Sequence, residues 1–351
     1  LQALTVSFDE KEYDETGLAR ATAEQIGMRQ KFIRQKSSNL SDVDQIAWFF
    51  DEPFSDASAI PTFNLCRAAA EHGTVFLAGD GGDEAFGGYR KYFRNLKYQL
   101  THSLPPLAAL ALETVSKVLP PLSPLRYRLA RKSLPDGGYP AAIGRKPVDP
   151  VFHSLLPREF QPISQKTGQP FWQIWQQSPN LGVVARWQKL DFELYLPDDV
   201  LVKVDRASMA HSIEIRSPFL DYRIVEWAAR LPRAVLLNTR EGKLPLRKLA
   251  GQLLPAEVQA GGKRGFATPL GAWFRQPEGV AFARERLLSP RARQRGLWND
   301  HAVEKLIAAH QSNHGRDFSD WLWSLLVLDT WARYYLDGSD FLQGPPTQAA
   351  S

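Results

Sequence analysis

Gly79-Asp80-Gly81-Gly82-Asp83-Glu84-Ala85-Phe86-Gly87-Gly88-Tyr89 places three carboxylates and five glycines within eleven residues. Glycines let backbone N–H groups approach a phosphate or carboxylate closely, and Asp80, Asp83 and Glu84 are hard oxygen ligands of the kind Mg²⁺ takes beside substrate phosphates. Carboxylates this close repel one another unless a cation sits among them. From composition alone, an acidic solvated turn capping the next helix is an equally good account. A second cluster runs from Leu196 to Asp221, where Lys203, Asp205, Arg206, Glu214 and Arg216 are interleaved with apolar residues. Charges set among core residues must be paired or bound to something. A network of structural ion pairs meets that demand, and the same residues can also shape a pocket. A third, Gly261-Gly262-Lys263-Arg264-Gly265-Phe266-Ala267-Thr268-Pro269, is a flexible loop with a cationic centre. A lysine there can neutralise negative charge on a transferring group, although surface loops of this composition are common. The seven histidines show no metal-ligand spacing, and Cys66, at helical period in Phe63–Ala68, reads as core.

The elements around these residues follow an α/β rhythm. Leu4–Phe8 reads as a strand; a helix opens at Asp14, keeps Ala19, Ala21, Ala23 and Ile26 inside, and stops at Gly27; Lys31–Arg34 reads as a second strand. Helices follow over Leu40–Phe50, closed by Asp51-Glu52-Pro53, and over Ile60–Glu71. Thr74–Ala78 is a short apolar strand, expected to be buried, that delivers the acidic loop to the carboxyl edge of a sheet, where ligands of open α/β folds bind. The alternation predicts a parallel sheet covered on both faces. Residues 101–180 are rich in proline and read as an irregular helical connector, and residues 181–351 return to helical period through Trp187–Leu194, Ile224–Leu231, Pro245–Leu254 and Trp321–Tyr335. The tail Gly344–Ser351 is expected to fray.

At 351 residues and 44% hydrophobic, the chain is neither disordered nor a stapled mini-protein. Its 43 basic and 38 acidic side chains leave +5, too dilute to argue for nucleic acid. The densest basic stretches, Arg126–Lys132 and Arg284–Arg295, read first as solvated helix faces and second as sites for an acidic or phosphate-bearing partner. One cysteine makes no internal disulfide, the opening has no signal-like segment, and the longest apolar run, Leu107–Leu112, is far short of a membrane span. A soluble, cytoplasmic protein is expected. The chain starts at Leu1 and goes straight into a strand, which reads as a cut.

Taken together and in this order, the three clusters resemble the synthetase domain of the asparagine synthase family, ATP-dependent amide-forming enzymes with an adenine nucleotide α-hydrolase-like sheet. The resemblance extends from end to end: Val6-Ser7-Phe8-Asp9-Glu10, Tyr13-Asp14-Glu15, Asp51-Glu52-Pro53, the Gly79–Tyr89 loop, the stretch from Asp205 to Asp221, Lys263-Arg264-Gly265-Phe266, and Leu322–Leu326 followed by Trp331. The acidic loop and Ile213–Asp221 are the specific parts. The resemblance implies that a carboxylate attacks the α-phosphate of ATP and that ammonia then displaces AMP. It implies ATP and Mg²⁺ as ligands, with Val6, Ser7, Ala78, Gly79 and Gly81 at the nucleotide, Asp83 on the metal, Asp80 beside the incoming amine and Lys263 stabilising charge in both steps. Lys203 and Asp205 map near the substrate.

Departures from the family pattern set further expectations. The family's Ser-Gly-Gly-x-Asp-Ser loop and its glutaminase domain are absent from residues 1–351, Ala78 stands where serine is frequent, and Met28-Arg29-Gln30 stands where a histidine-bearing segment is common. Three parts are therefore expected: 1–100, an incomplete nucleotide-binding α/β part; 101–180, the connector; and 181–351, the helical part of the synthetase domain. Such a fragment is expected to be inactive alone and to aggregate through an unpaired sheet surface. The substrate is expected to be a small-molecule or glycan carboxylate, the ammonia to come from a glutaminase domain, and a homodimer is compatible with the sequence. A degenerate homologue serving as a binding or assembly subunit, and a cyclase of the β-lactam synthetase type, are the alternative functions. A nucleic-acid binder is the least favoured.

Overall fold

In a computed structural model that describes residues 2–7, 16–34, 40–93, 106–132, 149–164, 166–256, 268–312 and 316–338, β1 (Gln2–Ser7) and β2 (Arg29–Arg34) pair in parallel, from Gln2↔Arg29 to Ser7↔Arg34. Parallel neighbours need a crossover, and α1 (Thr16–Gln25) supplies it. Gly27, at φ 68°, turns the chain out of the helix in a conformation that glycine adopts without a Cβ penalty. After α2 (Val43–Phe50) and α3 (Ala59–Ala69), β3 (Val75–Leu77) pairs in parallel with the distant β4 (Glu214–Arg216).

The expectation of one parallel sheet covered on both faces is met only in part: the strands present pair in parallel. Among the described residues the strands form two separate pairs, β1–β2 and β3–β4. β3 is also not a buried strand: Val75 is 47% and Leu77 72% exposed. Three residues support only a short ladder, and side chains alternating about it leave one face of the pair uncovered.

The proline-rich stretch is more regular than its composition predicts. Pro106, Pro124 and Pro150 each begin a helix, α5 (Pro106–Val118), α6 (Pro124–Lys132) and α7 (Pro150–Leu155), where the missing N–H costs nothing. Next come α8 (Gln169–Gln176) and α9 (Val183–Leu190), which runs into an eleven-residue π-helical stretch, Asp191–Leu201. Pro197 lies inside this stretch and lacks an N–H to donate, and the backbone here is underwound relative to an α-helix. α10 (Val202–Met209) continues directly from it, and α11 (Tyr222–Arg230), α12 (Leu244–Leu253), α13 (Pro277–Leu287), α14 (Asp300–Gln311) and α15 (Ser319–Tyr335) follow β4.

Two buried clusters organise these elements. One joins α2 and α3 to α13, α14 and α15 through Ile46, Phe50, Phe63, Leu287, Leu306, Trp323 and Leu326, and takes in Ala207 and Ile213 beside β4. The other joins α4 (Gly82–Phe86) to α8 and α9 through Phe86, Tyr92, Trp175 and Trp187. The acidic loop lies where the two clusters meet. Cys66 is buried in the first, as its period predicts.

A charged clamp fastens the closing helix. Asp329, fully buried on α15, accepts from Arg286 Nε (3.2 Å), Arg295 (2.7 Å) and Arg333 Nε (2.7 Å), while Arg286 also reaches Asp44 on α2 (3.1 Å). Trp331 Nε1 donates to the Asp51 carbonyl at 2.9 Å and pins the turn after α2. Breaking a buried pair from one side leaves uncompensated charge. Asp329→Ala is therefore expected to lose about 3–5 kcal/mol of stability, with Asp329→Asn losing less, read from denaturant midpoints at constant slope.

Candidate functional site

The acidic loop is built on two kinds of glycine. Ala78 N–H donates to the Arg216 carbonyl at 2.9 Å, closing the β3–β4 ladder, and the chain then leaves the sheet at its carboxyl end. At Gly81, φ is 83° and a Cβ would stand 2.2 Å from Leu220 Cδ2; at Gly82 a Cβ would meet Phe219 at 3.2 Å. Both partners belong to Pro218-Phe219-Leu220, so the two most specific stretches of the sequence pack directly on each other. Gly79 is different: among the described residues nothing lies within 4 Å of where its Cβ would be. Its backbone faces open space beside a rigid wall.

The three loop carboxylates, grouped by composition as one ligand set, have three different surroundings. Burial pushes the Asp80 carboxyl above the ordinary carboxylate range; the charge of Lys203 opposes this, as does Ser217 Oγ, which donates to Asp80 Oδ2 at 3.4 Å. Asp83 pairs with Lys243 Nζ at 3.1 Å. Glu84 is buried, accepts from the Tyr89 hydroxyl and is held protonated to higher pH by its burial. Among the described residues there is no group of three or more His, Cys, Asp or Glu side chains arranged to hold a metal ion. This donor set fits a magnesium ion carried by phosphates, which needs one or two protein carboxylates, and does not fit a cage built by the chain alone. Asp83 is the oxygen donor at hand, in place of its pairing with Lys243.

A polar row lies beside the loop. Asp191, Tyr195, Asp199 and Lys203 recur every four residues along the π-helical stretch and into α10. Fully buried Asp191 accepts from Lys91 Nζ and the Tyr92 hydroxyl, and the Lys91 ammonium lies 4.7 Å from the Tyr89 ring centre and 4.8 Å from that of Tyr195. At the other end, Lys203 Nζ donates to Asp56 Oδ2 (2.7 Å) and Ser58 Oγ (2.8 Å) and lies 3.8 Å from Asp199 Oδ1. Burial and the negative charge of Asp56 push the Asp199 carboxyl up to about 7 against the opposing charge of Lys203, and protonated Asp199 donates to Asp56. Burial acts the same way on Asp56, but the Lys203 ammonium and the Ser58 hydrogen bonds outweigh it and hold Asp56 low. The pair thus keeps one proton toward neutral pH, on Asp199.

Of the residues singled out by sequence, the structure brings together Ala78, Gly79, Asp80, Gly81 and Asp83 in one loop and couples Lys203 to Asp80. Val6 and Ser7 end β1 opposite Ile33 and Arg34. Lys263 lies outside the described residues. The chain is next described at Thr268, whose Oγ1 donates to the Ala57 carbonyl at 2.8 Å, between Asp56 and Ser58. Asp205 is exposed, two residues from Lys203 and so on another side of α10. The idea that the charges of Leu196–Asp221 are set among core residues is corrected for most of them. Glu214 and Arg216 are exposed and pair with each other at 2.7 Å, and exposed Arg206 pairs with Asp51 at 3.3 Å. Burial, with a smaller contribution from the Asp80 charge, pushes the Cys66 thiol up to about 12, so it is unreactive and lies close to the loop. Asp56, Ser58, Lys91, Asp199 and Lys243 are members that sequence reasoning missed. The four-residue spacing from Asp191 to Lys203 was a usable signal; nothing local marks Lys243.

The chain is thus a mixed α/β protein with a glycine-rich acidic loop at the carboxyl end of a parallel strand, backed by a half-buried lysine. The family model for asparagine synthase matches residues 1–333, and the chain belongs to that family. It is 30% identical to a Mycobacterium tuberculosis protein provisionally named a glutamine-hydrolyzing asparagine synthetase, over 97% of this chain and 51% of the relative. It is 28% identical to glutamine-hydrolyzing asparagine synthetase 1 of Bacillus subtilis, over 78% of this chain and 43% of the relative. The chain thus spans about half the length of the curated relatives it matches.

Because the Asp199 carboxyl is raised above its unfolded value, folding favours its protonated form. The stabilisation is complete well below about pH 4 and is lost as pH rises toward 7. Asp199→Asn removes that titration. The fall in melting temperature between about pH 5 and about pH 8 is expected to be smaller in the variant than in the wild type, read by thermal melts in matched buffers.

Proposed function

We propose that this chain is the amide-forming half of a glutamine-fed, ATP-dependent synthetase. The observation that carries the reading is the seating of the Gly79–Tyr89 loop on Phe219 and Leu220, which turns two distant family-specific stretches into one wall beside the open backbone of Gly79. The parallel pairs β1–β2 and β3–β4 are read as portions of one adenine nucleotide α-hydrolase-like sheet, with both carboxyl ends at the nucleotide. In the reaction, a substrate carboxylate oxygen bonds to the α-phosphorus of ATP as the bond to pyrophosphate breaks. Ammonia nitrogen then bonds to the acyl carbon as AMP leaves. Backbone at Val6, Ser7, Ala78, Gly79 and Gly81 faces the nucleotide. Asp83 would hold a phosphate-borne Mg²⁺, whose chemistry there would be neutralisation of charge on the leaving pyrophosphate.

Two side chains carry proton and charge. Asp80, whose proton affinity burial raises, takes a proton from the attacking amine; a base nearer the working pH performs that transfer better. Lys263 stabilises charge that grows on the phosphorus and then on the tetrahedral carbon, where a cation gains more than in the ground state. It stands five residues before Thr268, within ~17 Å of chain reach of the Asp56–Ser58 turn. Lys203 acts on Asp80 through its charge, and Asp205 has no part in this reading. Ammonia is supplied by a glutaminase portion, in keeping with the greater length and the names of the relatives.

The test is carboxylate-dependent ATP–pyrophosphate exchange, scored beside amide formation from ammonium salts in the full-length natural protein, with aspartate as the first acceptor. Lys263→Ala is expected to lower exchange by roughly 10²-fold or more, and Asp80→Ala to spare exchange while lowering amide formation by roughly 10²–10⁴-fold. Wild-type rates from either variant would remove that residue from the site.

A further inference from the structure

Two stretches noted in the sequence, the apolar run Leu107–Leu112 and the basic run Arg126–Lys132, fall on the adjacent helices α5 and α6. α5 buries Ser116 on one side. On the opposite side it exposes Leu107 (82%), Leu110 (60%) and Val118 (84%), and Ala111 and Thr114 on the same stripe are exposed too. The positions i, i+3, i+4, i+7 and i+11 form a continuous face along the helix. Leu125, at the start of α6, is also exposed.

The hairpin is held firmly rather than dangling. Arg126 donates to the Leu119 carbonyl at 2.6 Å, Arg316 lies 4.2 Å above the Tyr127 ring, and Leu122 packs against the main core. Its charge is lopsided: Lys117, Arg126, Arg128, Arg131 and Lys132 face a single acidic residue, Glu113, so residues 106–132 carry net +4 of the chain's +5.

A helix with an exposed apolar stripe, in a hairpin whose sequence is net +4, is the composition of an interfacial element. We propose that the α5–α6 hairpin is a peripheral docking surface for an anionic lipid bilayer, with Leu107, Leu110 and Val118 at the acyl boundary and Lys117, Arg128 and their neighbours at the headgroups. No helix among the described residues is long and apolar enough to cross a membrane, so the attachment is to the surface. A second copy of the chain is the competing occupant, and the charge argues against it: two +4 hairpins repel.

The test is flotation of the purified protein with phosphatidylglycerol–phosphatidylcholine vesicles and with pure phosphatidylcholine vesicles. Binding to the anionic vesicles alone is expected, weakening with salt. It should fall at least tenfold in Leu107→Gln/Leu110→Gln/Val118→Gln and roughly fivefold in Arg128→Gln. All four changes are at exposed positions, and unchanged far-ultraviolet dichroism confirms that the fold is intact. Should the triple variant misfold, the salt and lipid dependence of the wild type decides. No partition, equal partition into neutral vesicles, or undiminished binding by a folded triple variant would overturn the proposal. Vesicle-free dimerisation abolished by the triple change would overturn it in favour of the second copy.

Discussion

The site depends on one ammonium. Lys203 Nζ reaches from α10 to Asp56 and Ser58 in the turn before α3, approaches Asp199 from the same side, and through its charge holds down the proton affinity of Asp80. Remove it and Asp56 and Asp199 become two neighbouring carboxylates with a single proton to share, while Asp80 drifts further toward its neutral form. A lysine suits the place because its compact head offers three donors to partners in different directions, where a planar guanidinium favours one bidentate partner. The packing of α10 on α3 is therefore an electrostatic requirement as well as a hydrophobic one.

Around that ammonium the chain combines stiffness with one opening. Gly81 and Gly82 press so closely on Leu220 and Phe219 that any side chain at Gly81 would displace the wall, and the positive φ of Gly81 disfavours such a residue in any case. Glu84 and Asp191 are buried with dedicated hydroxyl and ammonium partners, so the far side of the loop is fastened as well. The exception is Gly79, whose backbone is left uncovered. For the proposed nucleotide, a wall of fixed groups with one exposed backbone face would offer hydrogen-bond donors that need no ordering on binding, which is how preorganisation contributes to both affinity and rate.

The closing helix connects this arrangement to the rest of the fold. Asp329 gathers three guanidinium groups from α13, α15 and the short helix Pro290–Arg295 between α13 and α14, and Arg286 passes the link on to Asp44 of α2. Trp331 then holds the backbone at Asp51, whose side chain meets Arg206 on the same helix as Lys203. Stretches whose individual match to the family is weak, Asp51-Glu52-Pro53 and Trp331, thus touch each other. Their joint occurrence in the sequence has a structural cause.

Local patterns in the sequence were enough to determine a good deal. The period of Ile46, Phe50, Ile60 and Phe63 predicts α2 and α3, the stops at Gly27 and Asp51-Glu52-Pro53 end their helices, and Cys66 reads correctly as core. The glycine-rich acidic loop is legible because its composition is rare and its place after an apolar strand is meaningful. What was not legible depends on partners far along the chain. That Glu214–Arg216 is a strand follows only from its pairing with Val75–Leu77. Nothing in the residue types at Asp56, Ser58 or Lys243 themselves announces a role. Three carboxylates that look like one ligand set are dispersed to Ser217, Lys243 and Tyr89. Periodicity and turn chemistry are properties of short segments and can be read in order; burial, ion pairing and proton affinity depend on which segments are brought together, and only the tertiary structure decided that.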